Sequence, residues 1–299
     1  MEEKKIKCNS PRAWMLASRP KTLAGAAVPV MIGLALAYRD VGYSKFLWLP
    51  ALLCVLFAFV MQIDANLIND YFDFLKGNDG DMRLGPRRAC SQGWITVGAM
   101  RRAISIVTVV ACFVGLPLVL YGGLEMILVG LLCVIFCFLY TTVMSYLGLG
   151  DLLVLVFFGI IPVCVTYYLQ TSTVPFYVVL ISVACGLVID TLLIVNNYRD
   201  MDNDMKSGKK TLIVRLGAKK GRLAYFLSGL LAVFIGVVFL FENNILAFAL
   251  SLIYLYLHYG TYRKMIRINK GKPLNAVLGD TARNIFVYGL LLSIGIILG

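Results

Sequence analysis

Histidine is nearly absent from this sequence, and charge is scarce. His258 stands alone among 299 residues, in LYLHYG near a helix end, and charged side chains make up 15% of the chain. A lone histidine disfavours histidine-based metal centres and acid–base schemes, so His258 reads as structural. Eight cysteines are present, mostly isolated within apolar stretches. Cys133 and Cys137 share a helical face, but there is no paired CxxC array with zinc spacing, and the cysteines read as small core residues. No GxxxxGK[ST] loop occurs, so nucleotide hydrolysis is not indicated. The opening MEEKKIKCNSPRAW has no apolar core or small-residue cleavage site, so no removable signal peptide is expected and the first helix is expected to insert directly.

What is present is apolar: 60% of the residues are hydrophobic, the composition of a polytopic membrane protein. Runs long enough to cross about 30 Å of hydrocarbon, about 20 residues each, lie at about 22–38, 46–69, 103–121, 124–146, 149–169, 175–197, 223–241, 244–262 and 284–299. The expected fold is therefore all-α, with nine transmembrane helices, the last of them short. Of the 28 lysines and arginines only Arg39 and Lys45 fall outside the amino terminus and the loops after helices two, six and eight. The positive-inside rule then puts the amino terminus and those loops in the cytoplasm, at a cytoplasmic (inner) membrane. The net charge of +12 is absorbed by this topology, so no nucleic-acid partner is expected, and no obligate protein partner is inferred.

The chain repeats itself. NDYFD (Asn69 to Asp73) resembles NNYRD (Asn196 to Asp200), each ending a long apolar helix and each followed by a glycine-containing basic loop. Those helices are the second and the sixth, four apart and so parallel. This predicts one domain over 1–299 made of two parallel four-helix halves, about 22–146 and about 149–262, with helix nine appended. Asn66, Asp70 and Asp73 fall at i, i+4 and i+7, and Asn197, Asp200 and Asp204 at i, i+3 and i+7, each set on one helix face. Asp79, Asp81 and Asp202 lie off these stripes and are expected in an outer shell or loop.

Aspartates at a helix carboxyl end oppose the helix dipole and repel one another unless a cation neutralises them. Hard oxygen donors without histidine or thiolate point to magnesium, whose coordination a substrate's phosphates complete. Lys76, Arg83, Arg87 and Arg88 after the first stripe, and Lys206, Lys209, Lys210 and Arg215 after the second, suit the remaining phosphate oxygens. Two metal-bearing motifs holding a diphosphate are the expectation. Asp64 and Asp190 lie deeper, about 9 and about 15 Å from Asp70 and Asp200 at about 1.5 Å per residue. Acids at that depth default to function, and a secondary transporter using them as proton or cation sites is the competing reading.

NDYFDFLKGND (Asn69 to Asp79) resembles the first aspartate-rich motif, and NNYRDMDND with GKKTL (Gly208 to Leu212) the second, of the UbiA-type intramembrane prenyltransferases. RPKTL (Arg19 to Leu23), GPRR (Gly85 to Arg88), LGLGDLLVLVFFG (Leu147 to Gly159), GKKTLIVRLG (Gly208 to Gly217) and LGDTAR (Leu278 to Arg283) look like the branch that acts on 1,4-dihydroxy-2-naphthoate in menaquinone biosynthesis. After Tyr140 and Thr141 the chain reads TVMSYLGLG, shorter and poorer in glycine and proline than the family loop. The resemblance implies the following chemistry. Magnesium on Asn66, Asp70, Asp73, Asn197, Asp200 and Asp204 binds a polyprenyl diphosphate, the four aspartates being catalytic. Lys76, Arg83, Arg87, Lys209, Lys210 and Arg215 bind its diphosphate. The allylic cation is taken by the naphthoate with decarboxylation, giving demethylmenaquinone; transfer to 4-hydroxybenzoate or another phenol is the alternative. Tyr71, Tyr140 and Tyr198 are the candidates to stabilise the cation, and Arg19 and Lys21 to meet the substrate carboxylate, with the prenyl tail reaching towards membrane lipid.

Overall fold

The protein is seen in a computed structural model that describes residues 6–77 and 83–299, without the side chains of Lys21 and Ser145. Asp79 and Asp81 thus lie outside the described residues, as does the side chain of Lys21. The regular structure among the described residues is all helical, without a strand, and nine helices among them are long and apolar enough to span a bilayer. A short helix, α1 (Pro11–Ser18), leads through Arg19 into α2 (Pro20–Val41). There follow α3 (Trp48–Leu75), α4 (Val97–Gly115), α5 (Glu125–Leu139), α6 (Gly150–Leu155), α7 (Ile161–Thr171), α8 (Phe176–Lys206), α9 (Leu212–Ile235), α10 (Ile245–Ile268) and α11 (Leu274–Leu298). Wide turns of π-helix, at Tyr140–Met144 and Val156–Ile160, extend α5 and join α6 to α7.

Charge misplaces several sequence-read ends. Hydropathy falls where acids and bases begin, but the backbone keeps its i to i−4 hydrogen bonds, so α3 runs on to Leu75 and α8 to Lys206, carrying the aspartates as helical residues. The seventh span begins at Leu212, about a turn and a half before Gly217, whose φ of 75° kinks it. The ninth is a full 25 residues rather than short, because LGDTARN continues the helix.

Helix α8 is the axis of the molecule. It packs against α2, α6, α9 and α11, and Val178, Ile181, Cys185 and Val188 join Val28, Ile32 and Leu36 in the largest apolar cluster. Gly159 and Gly186 let the second π turn lie against α8, since a Cβ on Gly159 would meet the Gly186 Cα at 2.6 Å. By contrast α5 buries no residue, and Ile106, Phe113, Leu120, Leu128 and Leu131 are exposed apolar groups suited to lipid. Of the cysteines read as core, Cys54, Cys90 and Cys185 are buried, whereas Cys8 and Cys112 are exposed. His258 is structural: it stacks on Tyr225 at 4.5 Å and sits 3.3 Å from the Tyr254 hydroxyl.

Candidate active site

Helices α3 and α8 end at one pole of the bundle, where each closes on an Asn-x-x-x-Asp pair held by one arginine. Arg88 Nη2 pairs with Asp73 Oδ2 at 2.6 Å, and Nη1 of the same guanidinium donates to the carbonyl of Asn69. The Asn69 side chain accepts from the Thr141 hydroxyl at 2.5 Å, tying the first motif to the first π turn. In the second motif Arg199 donates through Nε to Asp200 Oδ1 at 2.9 Å and through Nη2 to Asp200 Oδ2 at 2.5 Å. Its Nη2 also reaches Asn196 Oδ1 at 2.7 Å, and Nη1 reaches Asn275 Oδ1 at 2.8 Å. Such planar, forked contacts orient a carboxylate as well as neutralise it.

The motifs face each other. Asn275 donates to the Leu84 carbonyl at 2.9 Å, and Gly85 lies against the Arg199 guanidinium, so the loop after the first motif is seated on the second. Asp204, 8% exposed, lies close enough to Asp200 and Asp73 for the three charges to repel, with Lys209 Nζ at 3.9 Å as its counter-ion. Exposed Asp202 pairs loosely with Lys270 at 3.8 Å, as its place off the stripe predicts.

Two residues assigned to metal from helical spacing, Asp70 and Asn66, also hold other parts of the chain in place. Asp70 accepts the backbone amides of Ala89 at 2.8 Å and Cys90 at 3.0 Å, one on each oxygen, and so anchors the loop. Asn66 donates to the Ser18 carbonyl at 3.0 Å and the Thr22 hydroxyl at 2.8 Å, pinning the start of α2. Asn69 lies one helical turn before Asp73 on the same helix. In the second motif Asn196 shares the Arg199 clamp, while Asn197 is buried. Pairing NDYFD with NNYRD was the signal for Asn69 and Asn196; spacing alone favoured the neighbouring stripe.

The bases divide likewise. Lys76 Nζ donates to the Thr142 carbonyl at 2.7 Å and lies 4.1 Å over the Tyr146 ring, and Lys209 lies 5.3 Å over the same ring from the other motif. Tyr146, missed by the sequence reading, is thus a platform between two cations. Arg215 instead braces the turn below, donating to Leu147 O at 2.7 Å and Lys210 O at 3.1 Å, while the Lys210 amide donates to Tyr146 O at 3.0 Å. Arg83 caps Pro86 O at 2.9 Å, and Arg87 is exposed on the same loop.

Among the tyrosines, Tyr140 is the one whose phenol lies within electrostatic reach of Asp151 and Asp190 and also of Asp73 and Asp204. Tyr198 points the other way, donating to Asn269 Oδ1 at 3.1 Å within a cluster holding Ile213 and Met265. Tyr71 lies in a side groove with Leu75, Arg101 and Phe138. Arg19 forms the corner between α1 and α2 at a φ of 49°, where its carbonyl accepts from Thr22. Among the described residues no three acids converge into a closed metal cage. The donors nonetheless suit a hard cation that keeps waters and completes its shell with phosphate oxygens: all are oxygens, and Asp204 is within electrostatic reach of Asp200 and Asp73 at one pole.

Fold and site together define a multi-pass helical membrane protein with an acid-rich, base-flanked site where two repeated motifs meet. The chain belongs to the UbiA prenyltransferase family, which it matches over residues 26–290. It is 40% identical over 220 residues to a 1,4-dihydroxy-2-naphthoate octaprenyltransferase of Escherichia coli (strain K12), covering 71% of this chain and 70% of that protein. With the Haemophilus influenzae protein of that description it shares 35% identity over 232 residues, 75% of each chain. The structure of a UbiA homolog from Archaeoglobus fulgidus bound to DMAPP and Mg2+ superposes with a TM-score of 0.65 at 14% identity, over 94% of this chain and 99% of that one.

Proposed function

We propose that this prenyltransferase moves a polyprenyl group from an allylic diphosphate to 1,4-dihydroxy-2-naphthoate with decarboxylation, using magnesium at the cytoplasmic face of the membrane. One observation carries the reading: two arginine-clamped Asn-x-x-x-Asp pairs face each other, with Asp204 between them. The family, the two naphthoate prenyltransferases among its relatives and the magnesium-bound homolog support the acceptor and the metal.

Asp73 and Asn69 would hold one magnesium, and Asp200, Asp204 and Asn196 another, with the substrate diphosphate completing both shells. Bound magnesium supplies Lewis-acid stabilisation of the charge that grows on the diphosphate as the carbon–oxygen bond breaks. Lys76 and Lys209, fixed over Tyr146, add cationic donors at the same place, where a single preorganised donor is worth about 10²–10³ in rate. Tyr140, below the acids, offers its ring face to the allylic cation. The surrounding helices keep water from that cation. The repeat of two four-helix halves and the inward amino terminus belong to the same proposal, resting on the parallel motifs and on the basic loops.

Purified protein in detergent, given a short allylic diphosphate and magnesium with either dihydroxynaphthoate or 4-hydroxybenzoate, tests it by mass spectrometry. A prenylated, decarboxylated naphthalenediol is expected. A prenylated hydroxybenzoate instead overturns the acceptor, and no product with either from folded protein overturns the activity.

A further inference from the structure

Beneath the diphosphate pole lies a second pair of acids that the metal chemistry does not use. Asp151, in the first turn of α6, faces Asp190 on α8 closely enough for their charges to repel. Asp190 is 7% exposed, and Oδ1 of each acid is buried without a hydrogen-bond partner among the described residues. A buried, unsatisfied carboxylate oxygen is costly unless something donates to it.

The backbone is built to bring the two together. Gly159 against Gly186 holds α8 and the π turn in contact, and Gly150 leaves room for Leu193 and for the edge of Tyr140 at 3.7 Å. The two π turns, frequent markers of functional sites, bracket Asp151. Asp190 lies about 15 Å along α8 from Asp200, at about 1.5 Å per residue, and Tyr140 reaches towards both groups of acids. Down the interior the order is diphosphate motifs, Tyr140, then the pair.

We infer that the Asp151–Asp190 pair is the acceptor subsite: Asp190 receives a hydrogen bond from a ring hydroxyl of the aromatic substrate and takes its proton during transfer, while Asp151 positions it. The inference rests on the prenyl-transfer reading above. A ring hydroxyl facing the pair fits better than the ring's carboxylate, because a donor relieves the repulsion of two carboxylates and an acceptor adds to it. As the ring carbon that bears the carboxyl group bonds the allylic carbon, the carbon–oxygen bond to the diphosphate breaks and its electron pair leaves with the diphosphate. The proton of the neighbouring hydroxyl passes to Asp190, and the O–H pair becomes the second bond of a ring ketone. The carboxylate then leaves as carbon dioxide, its C–C pair restores the aromatic ring, and the proton returns from Asp190 to the ring oxygen. Asp190 ends as it began.

The test uses the full chain in detergent with magnesium. Asp190→Asn keeps the shape but takes no proton: kcat with the naphthoate is expected to fall at least 100-fold, while an unreactive prenyl thiodiphosphate binds within threefold of the native protein. Asp151→Asn is expected to raise the acceptor KM more than it lowers kcat. Turnover by Asp190→Asn within threefold of native, at unchanged acceptor KM, overturns the inference. Should the variant not fold, the native protein decides: the naphthoate methylated on the hydroxyl beside its carboxyl group should bind at least tenfold more weakly than the parent, and equal binding overturns the subsite. Should native protein prenylate another phenol instead, the naphthoate reading fails by itself, and Asp190→Asn is judged on that phenol.

Discussion

Arg199 contacts Asp200, Asn196 and Asn275 with one guanidinium, so the second motif, its own helix and the start of α11 share a single cation. A lysine cannot reproduce that fork. Arg199→Lys is therefore expected to lower magnesium-dependent diphosphate release by about 10²-fold, in the range of a lost preorganised donor, whereas Asp202→Asn should stay within about threefold, as an exposed pair contributes little. Steady-state release assays on both variants check this, and equal losses would count against the clamp. Asp70 invites a different experiment. Removing its carboxylate as Asp70→Ala leaves the buried amides of Ala89 and Cys90 without acceptors, at about 1–3 kcal/mol each, so thermal unfolding in detergent should show a clear loss of stability. At this scale the sequence shows which residue types gather at the helix ends, and the contacts each one makes come only from the fold. NDYFD and NNYRD announced acids and amides at a helix end, but which of them meet Ser18, Thr22, Thr141 or the amides of Ala89 and Cys90 depends on other elements, and no periodicity carries that.

Helices were legible wherever lipid dictates composition, and opaque where geometry departs from it. Twenty apolar residues announce a span; a π turn has the same composition as an α turn, so Tyr140–Met144 and Val156–Ile160 left no mark in the hydropathy. The close approach of α8 to the second π turn depends on two hydrogens. A Cβ on Gly186 would meet Leu155 Cδ1 at 2.8 Å and the Leu155 carbonyl at 2.9 Å. Gly186→Val is thus expected to cost about 1–3 kcal/mol by overpacking and to impair turnover, because Asp190 lies one turn further along the same helix. Circular dichroism melts alongside product assays check both parts; an unchanged melt would mean that the helices separate freely there.

The whole molecule places its two acid-bearing helix ends at one pole and its bare apolar faces around α4 and α5. Cys8 is exposed beside Asn9, whose amide donates to Trp94 O at 2.8 Å, and so reports on the loop that follows the first motif. A membrane-impermeant maleimide is expected to label Cys8 in inside-out vesicles and not in intact spheroplasts; the opposite pattern would reverse the proposed orientation.

In the proposed site Asp73 and Asp200, each under its arginine, jointly hold a magnesium-bound diphosphate. The most direct measurement is calorimetric titration of an unreactive prenyl thiodiphosphate into native protein, Asp73→Asn, Asp200→Asn and Asp202→Asn, with and without magnesium. Binding is expected to depend on magnesium, to weaken at least 100-fold, about 2.7 kcal/mol, in each of the first two variants and to be unchanged in the third. Binding of equal strength in all four proteins, or binding indifferent to magnesium, would contradict it.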